Sequence, residues 1–485
     1  MSGELVNGEL DPDGELRKLA GDCVHCGFCL PTCPTFQLWG EEMDSPRGRI
    51  HLITQILDGT AGTEATATHL DRCLGCMACV PACPSGVRYD RLIEAAREWA
   101  EQPVPVHPPA ARSQGAHPAA TQAPAGQSPA TRSPTALPPR ARRERLIRRA
   151  IFETFPYPAR LRVLMAPLRA AQAVGADRLL GRSELAGHLT PELVAALRIA
   201  PPRPPRQAGL AGVRLPGRVP ARGPRRAVVG MLTGCVQQVF FPPVNAATAR
   251  VLAAEGCDVI VPRSQGCCGA LSLHGGRRAE AAAFARRTIE TFERAAVDAI
   301  VVNAAGCGSA MKEYGQLLAG DPAWARRAAA LSDKVRDFSE FLAELGAAAP
   351  RQPLPLTAVY QDACHLGYAQ RITAQPRDLL RSIPGLRLAE VGDGGTCCGS
   401  AGIYNLVQPE AAAELGARKA RAVHAAGADL LVSANPGCTM QIAAALGEQG
   451  TPMPAAHVAQ VLDASLRGLP PSALLTPSSR HLPPT

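Results

Sequence analysis

Eight cysteines in the first hundred residues form two copies of one pattern, Cys23-Val-His-Cys26-Gly-Phe-Cys29-Leu-Pro-Thr-Cys33-Pro34 and Cys73-Leu-Gly-Cys76-Met-Ala-Cys79-Val-Pro-Ala-Cys83-Pro84. Each reads C-x2-C-x2-C-x3-C-P. Three thiolates at that spacing converge on one 4Fe–4S cube, and in two-cluster proteins the fourth crosses to the other cube. The expected ligand sets are therefore Cys23, Cys26, Cys29 and Cys83 for one cube, and Cys73, Cys76, Cys79 and Cys33 for the second. Proline after each fourth cysteine ends the turn. Zinc sites draw on two separated cysteine pairs, and disulfide frameworks belong to short secreted chains. Neither accounts for a doubled four-cysteine run ending in proline, so this region is expected to move electrons.

The 485 residues leave room for about three domains. The first ten residues carry acids and lack the basic and apolar segments of a signal peptide, so a reducing cytoplasm is the expected compartment. No run of about 18 apolar residues occurs, which leaves peripheral attachment to the inner face of the cell membrane as the expected limit of membrane contact. The net charge of +9 is uneven, with Arg140, Arg142, Arg143, Arg145, Arg148 and Arg149 crowded together. That cluster suits an acidic partner, anionic lipid or a solvated linker face. Aromatics make up only 4% and never interleave with basic residues as in base-stacking proteins, which argues against nucleic-acid binding.

The expected fold class is α plus α/β. Residues 13–100 read as a helical two-cluster ferredoxin domain, with helical stripes at Ile50–Leu57 and Asp90–Trp99 around runs that begin 50 residues apart. Residues 101–144 are Pro/Ala-rich with little to bury and read as a disordered linker. A helical connector with a Pro/Arg-rich end covers 145–226. In it Leu146, Ile147, Ala150, Ile151 and Phe155 form an apolar face suited to a membrane surface, a partner or the protein's own core. From 227 the texture turns to short β-branched runs alternating with Ala-rich helices. Strands are expected at 227–232, 258–262, 299–302, 357–360, 386–391 and 430–433, and helices at 245–255 and 409–426. A disordered tail is expected at 469–485.

This half is a duplication, with copies at 227–350 and 351–468. Cys235, Cys267-Cys268-Gly269 and Cys307 recur as Cys364, Cys397-Cys398-Gly399 and Cys438, with gaps of 32 against 33 and 39 against 40 residues. All follow expected strands, where open α/β sheets place their sites, so each set is expected to converge on one pocket. The eight thiols suit a metal or cluster centre, redox-active thiols or plain core packing. Cys257 has no counterpart and reads as a small core hydrophobe. His274 and His365 are candidates to ligate or orient the thiolates, and Arg263 to lower a thiol pKa.

Cysteine, Cys-Cys-Gly and a terminal cysteine motif resemble the cysteine-rich "CCG" domain of heterodisulfide reductase subunits and of membrane-associated flavoenzyme partners. The fullest form of that pattern ends in C-x-x-C. Here it reads Ala304-Ala-Gly-Cys307 and Asn435-Pro-Gly-Cys438, with the first cysteine of each pair absent. Two ferredoxin runs followed by two CCG domains resemble the iron–sulfur subunits of glycolate oxidase. The similar phrases are Cys23-Val-His-Cys26-Gly-Phe-Cys29, Ser45-Pro-Arg-Gly-Arg-Ile50, His69-Leu-Asp-Arg-Cys73, Gly306-Cys-Gly308 with Lys312-Glu-Tyr-Gly315, and Cys397-Cys-Gly-Ser-Ala-Gly402. The resemblance implies an electron-transfer subunit with two 4Fe–4S clusters. Its flavin-binding partner subunits, which alone carry FAD, oxidise glycolate to glyoxylate, and electrons leave toward a quinone or other non-oxygen acceptor.

No G-x-G-x-x-G follows a strand and no phosphate-binding loop is evident, which agrees with that division of labour. Gly392-Asp-Gly-Gly395 reads as the turn feeding Cys397. Competing readings are a thiol–disulfide reductase fed by the two cubes, the iron–sulfur subunit of anaerobic glycerol-3-phosphate dehydrogenase, and a binding module that anchors flavin subunits.

Overall fold

The computed structural model describes residue 11 and residues 14–60, 64–101, 142–174, 191–200, 215–393 and 395–475. The expected linker lies almost wholly outside these, as do residues 201–214 of the Pro/Arg-rich break and 476–485 of the tail; the tail's first residues, 469–475, are ordered instead, because Leu469, Leu474 and Leu475 pack on the core around a 3-10 turn at Pro471–Ala473.

Helices Glu15–Gly21, Pro46–Leu57, Glu64–Asp71 and Tyr89–Glu101 surround the two N-terminal cysteine runs. The stripe expected from Ile50 begins four residues earlier, because Ser45 caps it: its Oγ accepts the Gly48 N–H at 3.0 Å, and Pro46 takes the first helical position. Ile50, Ile53, Ile56 and Leu57 then pack against Leu92, Ile93 and Ala96 of the last helix. In the connector, helix Arg142–Thr154 turns Ile151 and Phe152 inward onto Ile403 and Leu406, with Ile147 and Phe155 beside them. Of the expected apolar face, Ile147, Ile151 and Phe155 pack on the protein itself, while Leu146 and Ala150 stay exposed. Phe152, outside the expected stripe, is the deepest of the packed residues, and Arg148 is buried in an ion pair with Glu101.

The remainder holds two sheets of one topology. The first has the order β1-β3-β2-β4-β5, from β1 (Arg218–Val219), β2 (Ala227–Leu232), β3 (Cys257–Ile260), β4 (Ala299–Val302) and β5 (Val335–Asp337). The second has the order β7-β6-β8-β9, from β6 (Thr357–Gln361), β7 (Arg387–Glu390), β8 (Leu430–Ser433) and β9 (Ala455–Ala456). All pairings are parallel except β1 with β3. The six expected strands are present. The other three, β1, β5 and β9, have only two or three residues each, too few to show a pattern. Because β1 pairs with β3, the first sheet starts inside the stretch read as the end of the connector.

The halves interlock. Helix Pro242–Ala254, which follows the first long strand, packs on Val458–Leu466, the closing helix of the second half. Helix Ala374–Arg381, its counterpart, packs on Phe338–Leu345, the closing helix of the first. Val229, Val301, Phe338, Tyr360, Val432 and Leu462 accordingly share one core. Arg250 reaches across to Asp463 with two bonds of 2.8 and 2.6 Å.

Candidate redox site

Both N-terminal runs fold alike because each has two left-handed residues between its cysteines. In the first these are His25 (φ 54°) and Gly27 (φ 86°), in the second Gly75 (φ 64°) and Met77 (φ 61°). Each run spends one glycine on a conformation that glycine adopts freely and forces the other on a larger residue. The turns continue with Leu30 N–H to Gly27 O at 2.9 Å and Val80 N–H to Met77 O at 3.0 Å.

The eight cysteines sort into two cavities. Cys23, Cys26, Cys29, Cys79 and Cys83 line one, and Cys33, Cys73, Cys76 and Cys79 line the other, so Cys79 borders both. Cys83 of the second run thus joins the first run's Cys23, Cys26 and Cys29, and Cys33 of the first run joins Cys73, Cys76 and Cys79. Four convergent thiols around such a space fit a 4Fe–4S cube.

Burial pushes the Cys76 and Cys79 thiols well up and Cys29 up. Burial also opposes ionisation of Cys73, yet Arg49 and Arg97 bring it below its ordinary value. Hydrogen bonds reach the sulfurs as well: Gly75 N–H to Cys73 at 3.3 Å, Tyr89 O–H to Cys73 at 3.5 Å, and Thr35 Oγ1 within 3.2 Å of Cys33.

Two phrases that the cysteine spacing alone does not account for meet in the support of this second cavity. Asp44, fully buried, is bonded by Arg49 (3.2 Å) from Ser45-Pro-Arg-Gly-Arg-Ile50, and by His69 (3.0 Å) and Arg72 (2.9 Å) from His69-Leu-Asp-Arg-Cys73. Arg49 also donates to Asp44 O at 2.6 Å and His69 O at 2.6 Å. Asp44 was not among the candidates. The signal was its place beside a phrase with two arginines and no other evident task.

The repeated cysteines also converge. Cys235, Cys267 and Cys268 follow β2 and β3, and Cys307 opens the helix after β4. Cys364, Cys397, Cys398 and Cys438 take the same places after β6, β7 and β8. Cys235 Sγ lies 3.5 Å from Cys267 Sγ. Bonds from Cys267 and Cys307 hold Cys268 well below the usual thiol range. Cys364 is pushed well up by its bond with Cys397 and by burial. Gly269 and Gly399 have φ of 83° and 85°, and a Cβ there would meet Ala281 O at 3.0 Å and Ala412 O at 2.7 Å. That is why Cys-Cys must be followed by glycine. Where the fullest pattern has another cysteine, Asn435 Nδ2 donates to Cys438 Sγ at 3.4 Å.

The other candidates fare differently. His365 Nδ1 lies 3.5 Å from Cys364 Sγ, and its ring is 4.8 Å from that of His274. His274 Nδ1 meets Glu94 Oε1 at 3.1 Å, linking the ferredoxin domain to the first half. Arg263 is exposed, and Cys267 is raised rather than lowered, chiefly by its bonds with Cys235 and Cys268. Cys257 is fully buried in the shared core, as expected. Tyr314, from Lys312-Glu-Tyr-Gly315, donates to Cys268 O at 2.5 Å and holds that loop from behind. Cys76 and Cys397 lie in one buried cluster with Leu74, Ala78, Tyr404 and Leu415, so the second N-terminal cavity abuts the second CCG set.

Comparison with known proteins gives the following matches along the chain. A family described as "4Fe-4S dicluster domain" matches residues 20–87, "Cysteine-rich domain" matches 229–312 and 358–443, and "Glycolate oxidase iron-sulfur subunit, linker region" matches 143–200. The "Probable glycolate oxidase iron-sulfur subunit" of Bacillus subtilis (strain 168) is 36% identical over 457 residues, 93% of this chain and 94% of the relative. The "Glycolate oxidase iron-sulfur subunit" of Escherichia coli (strain K12) is 35% identical over 443 residues, 90% and 92% of the two chains. "Lactate utilization protein A" of Shouchella clausii (strain KSM-K16) is 32% identical over 241 residues, 48% of this chain and 98% of the relative.

Proposed function

This chain belongs to the family of glycolate oxidase iron–sulfur subunits, and on that footing we propose that it takes electrons from flavin-carrying subunits and passes them to a quinone or other non-oxygen acceptor. It is an electron-transfer subunit, and its N-terminal domain is a 4Fe–4S dicluster domain. In our reading Cys23, Cys26, Cys29 and Cys83 hold one cluster and Cys33, Cys73, Cys76 and Cys79 the other. The observation that supports this is that Cys83 lines one cavity with Cys23, Cys26 and Cys29 while Cys33 lines the other with Cys73 and Cys76, Cys79 bordering both.

Such clusters, when bound, take up and release single electrons. The chain's own residues set the conditions: Arg49 and Arg97 supply positive charge beside Cys73, and Tyr89 and Gly75 donate to its sulfur. Cys235, Cys267, Cys268 and Cys307, and Cys364, Cys397, Cys398 and Cys438, continue the route as further redox centres, a reading supported by the thiol–thiol contacts within each set. Substrate oxidation belongs to the partner subunits. The assembly sits peripherally on the inner face of the cell membrane; among the described residues no helix is long and apolar enough to cross one.

Anaerobic purification with iron and sulfide quantitation tests the assignment, with about eight irons expected from two cubes and more if the CCG sets are loaded. Iron near four, or zinc in its place, would overturn the two-cube assignment. Affinity capture from cells oxidising glycolate is expected to bring down a flavoprotein; a chain recovered without one speaks against the complex.

A further inference from the structure

The two N-terminal cavities differ in exposure. Cys33, Cys73, Cys76 and Cys79 are each less than one-tenth exposed, and the run carrying the last three is sealed by the second CCG half through Leu74, Ala78 and Cys397. The other cavity faces outward: Cys26 is exposed, and Cys23, Cys29 and Cys83 are half-buried. On either side of Cys26 stand Val24 and Phe28, 68% and 67% exposed. Burying a side chain of this kind is a stabilising contribution to a fold. This chain forgoes it at two residues of one loop, and nothing among the described residues covers them.

The loop is not free to turn them inward. His25 and Gly27 are fixed in left-handed conformations, and Arg47 Nη1 donates to His25 O at 3.1 Å. Arg47 is itself neutralised by Glu42, at 2.6 and 3.1 Å. An apolar pair rimmed by a satisfied ion pair is the anatomy of a protein contact, with an anchor at the centre and polar groups around it. An anionic lipid surface calls instead for unpaired cations.

We propose that Val24 and Phe28 are the port at which the flavin-carrying subunit docks and hands over its electrons. This rests on the reading that the cavity beneath holds a 4Fe–4S cluster. One substrate oxidation yields two electrons and two protons. The reduced flavin of the partner is reoxidised by releasing the electrons singly across this port, each reducing the chain by one electron, and the protons leave on the partner's side. From the port the route runs inward, to the cavity of Cys33, Cys73, Cys76 and Cys79 and then toward Cys397.

The test is the Val24→Asp/Phe28→Glu variant, coexpressed with the flavin subunits and compared with the wild-type complex under anaerobic conditions. Iron content and reduction by dithionite are expected to match wild type. Glycolate-driven bleaching of the iron–sulfur absorption is expected to fall at least tenfold, and the flavoprotein to be lost from affinity-purified material. Val163→Asp, at an equally exposed apolar position on helix Pro158–Val174, is expected to change neither. Should the charged pair lower iron content, Phe28→Ala carries the same expectation without adding charge.

Wild-type bleaching with flavoprotein retained in the variant overturns the port. So does intact bleaching with loss only of transfer to the acceptor, which would make this face the exit. A wild-type chain that holds eight irons yet binds no flavoprotein overturns the functional reading itself, and the port with it.

Discussion

Asp337 and His457 hold equivalent places in the two halves: each is buried where the last strand gives way to the closing helix, and each caps that helix. The Asp337 carboxylate accepts from Ser339 N–H at 2.7 Å while Glu340 accepts from Asp337 N–H at 2.9 Å. His457 Nδ1 accepts from Ala459 N–H at 3.0 Å while Gln460 accepts from His457 N–H at 2.9 Å. The two caps meet through Phe338, whose ring is 6.1 Å from that of His457.

Burial acts on these caps with opposite signs. It raises Asp337 to about 6, with Glu340 adding to the rise, and lowers His457 to about 4. The protonated Asp337 is favoured in the fold, so its contribution is present below about pH 4 and lost as pH rises through 6. Neutral His457 is favoured, so its contribution is present above about pH 6.5 and lost as pH falls toward 4. Each is worth roughly 3 kcal/mol across its window. Asp337→Asn should therefore gain stability relative to wild type as pH rises from 4.5 to 7, and His457→Asn should lose it. Urea midpoints at a series of pH values check this; parallel curves for variants and wild type would refute it.

Gly399→Ala should destabilise by roughly 1–3 kcal/mol, from the left-handed conformation alone, and more from the close approach to Ala412 O. Gly269→Ala, with a looser approach, should cost less. Thermal denaturation of the two variants side by side gives the order, and equal losses would show that the helix contact does not matter.

Arg49→Met removes a fully buried cation from Asp44 and from beside Cys73. The loss should be roughly 3–5 kcal/mol, as when one partner of a buried pair is deleted. Reduction near Cys73 becomes harder once that charge is gone, so one of the two cluster midpoint potentials should fall and the other stay. Potentiometric titration followed by electron paramagnetic resonance separates them; equal shifts in both would contradict the placement.

Arg250→Met and Asp463→Asn should each loosen the joint between halves, by roughly 1–3 kcal/mol. A double-mutant cycle should return a coupling of roughly 0.5–3 kcal/mol. Coupling near zero would mean that Arg467, 3.4 Å from Asp463, suffices alone.

Chemistry was more legible in the sequence than assembly was. Cysteine spacing announced both cavities because sulfurs on consecutive turns must converge, and six strands announced themselves through β-branched runs. β5 and β9 did not, since three residues or fewer carry no periodicity. Nor did Asp44, whose role depends on two phrases more than 20 residues apart meeting in space. Arg263 misled for the same reason: a cation four residues from Cys267 in sequence points into solvent. The exchange of closing helices between the halves left no mark either, because an apolar helix face looks the same whichever core it enters.

That exchange sets a schedule for synthesis. Arg250 waits 213 residues for Asp463, and helix Pro242–Ala254 waits as long for its cover. At about 5–20 residues per second, the ribosome leaves this apolar face bare for roughly 10–40 s. The first CCG pocket, though complete in sequence by Cys307, stays without its full scaffold until helix Val458–Leu466 has emerged.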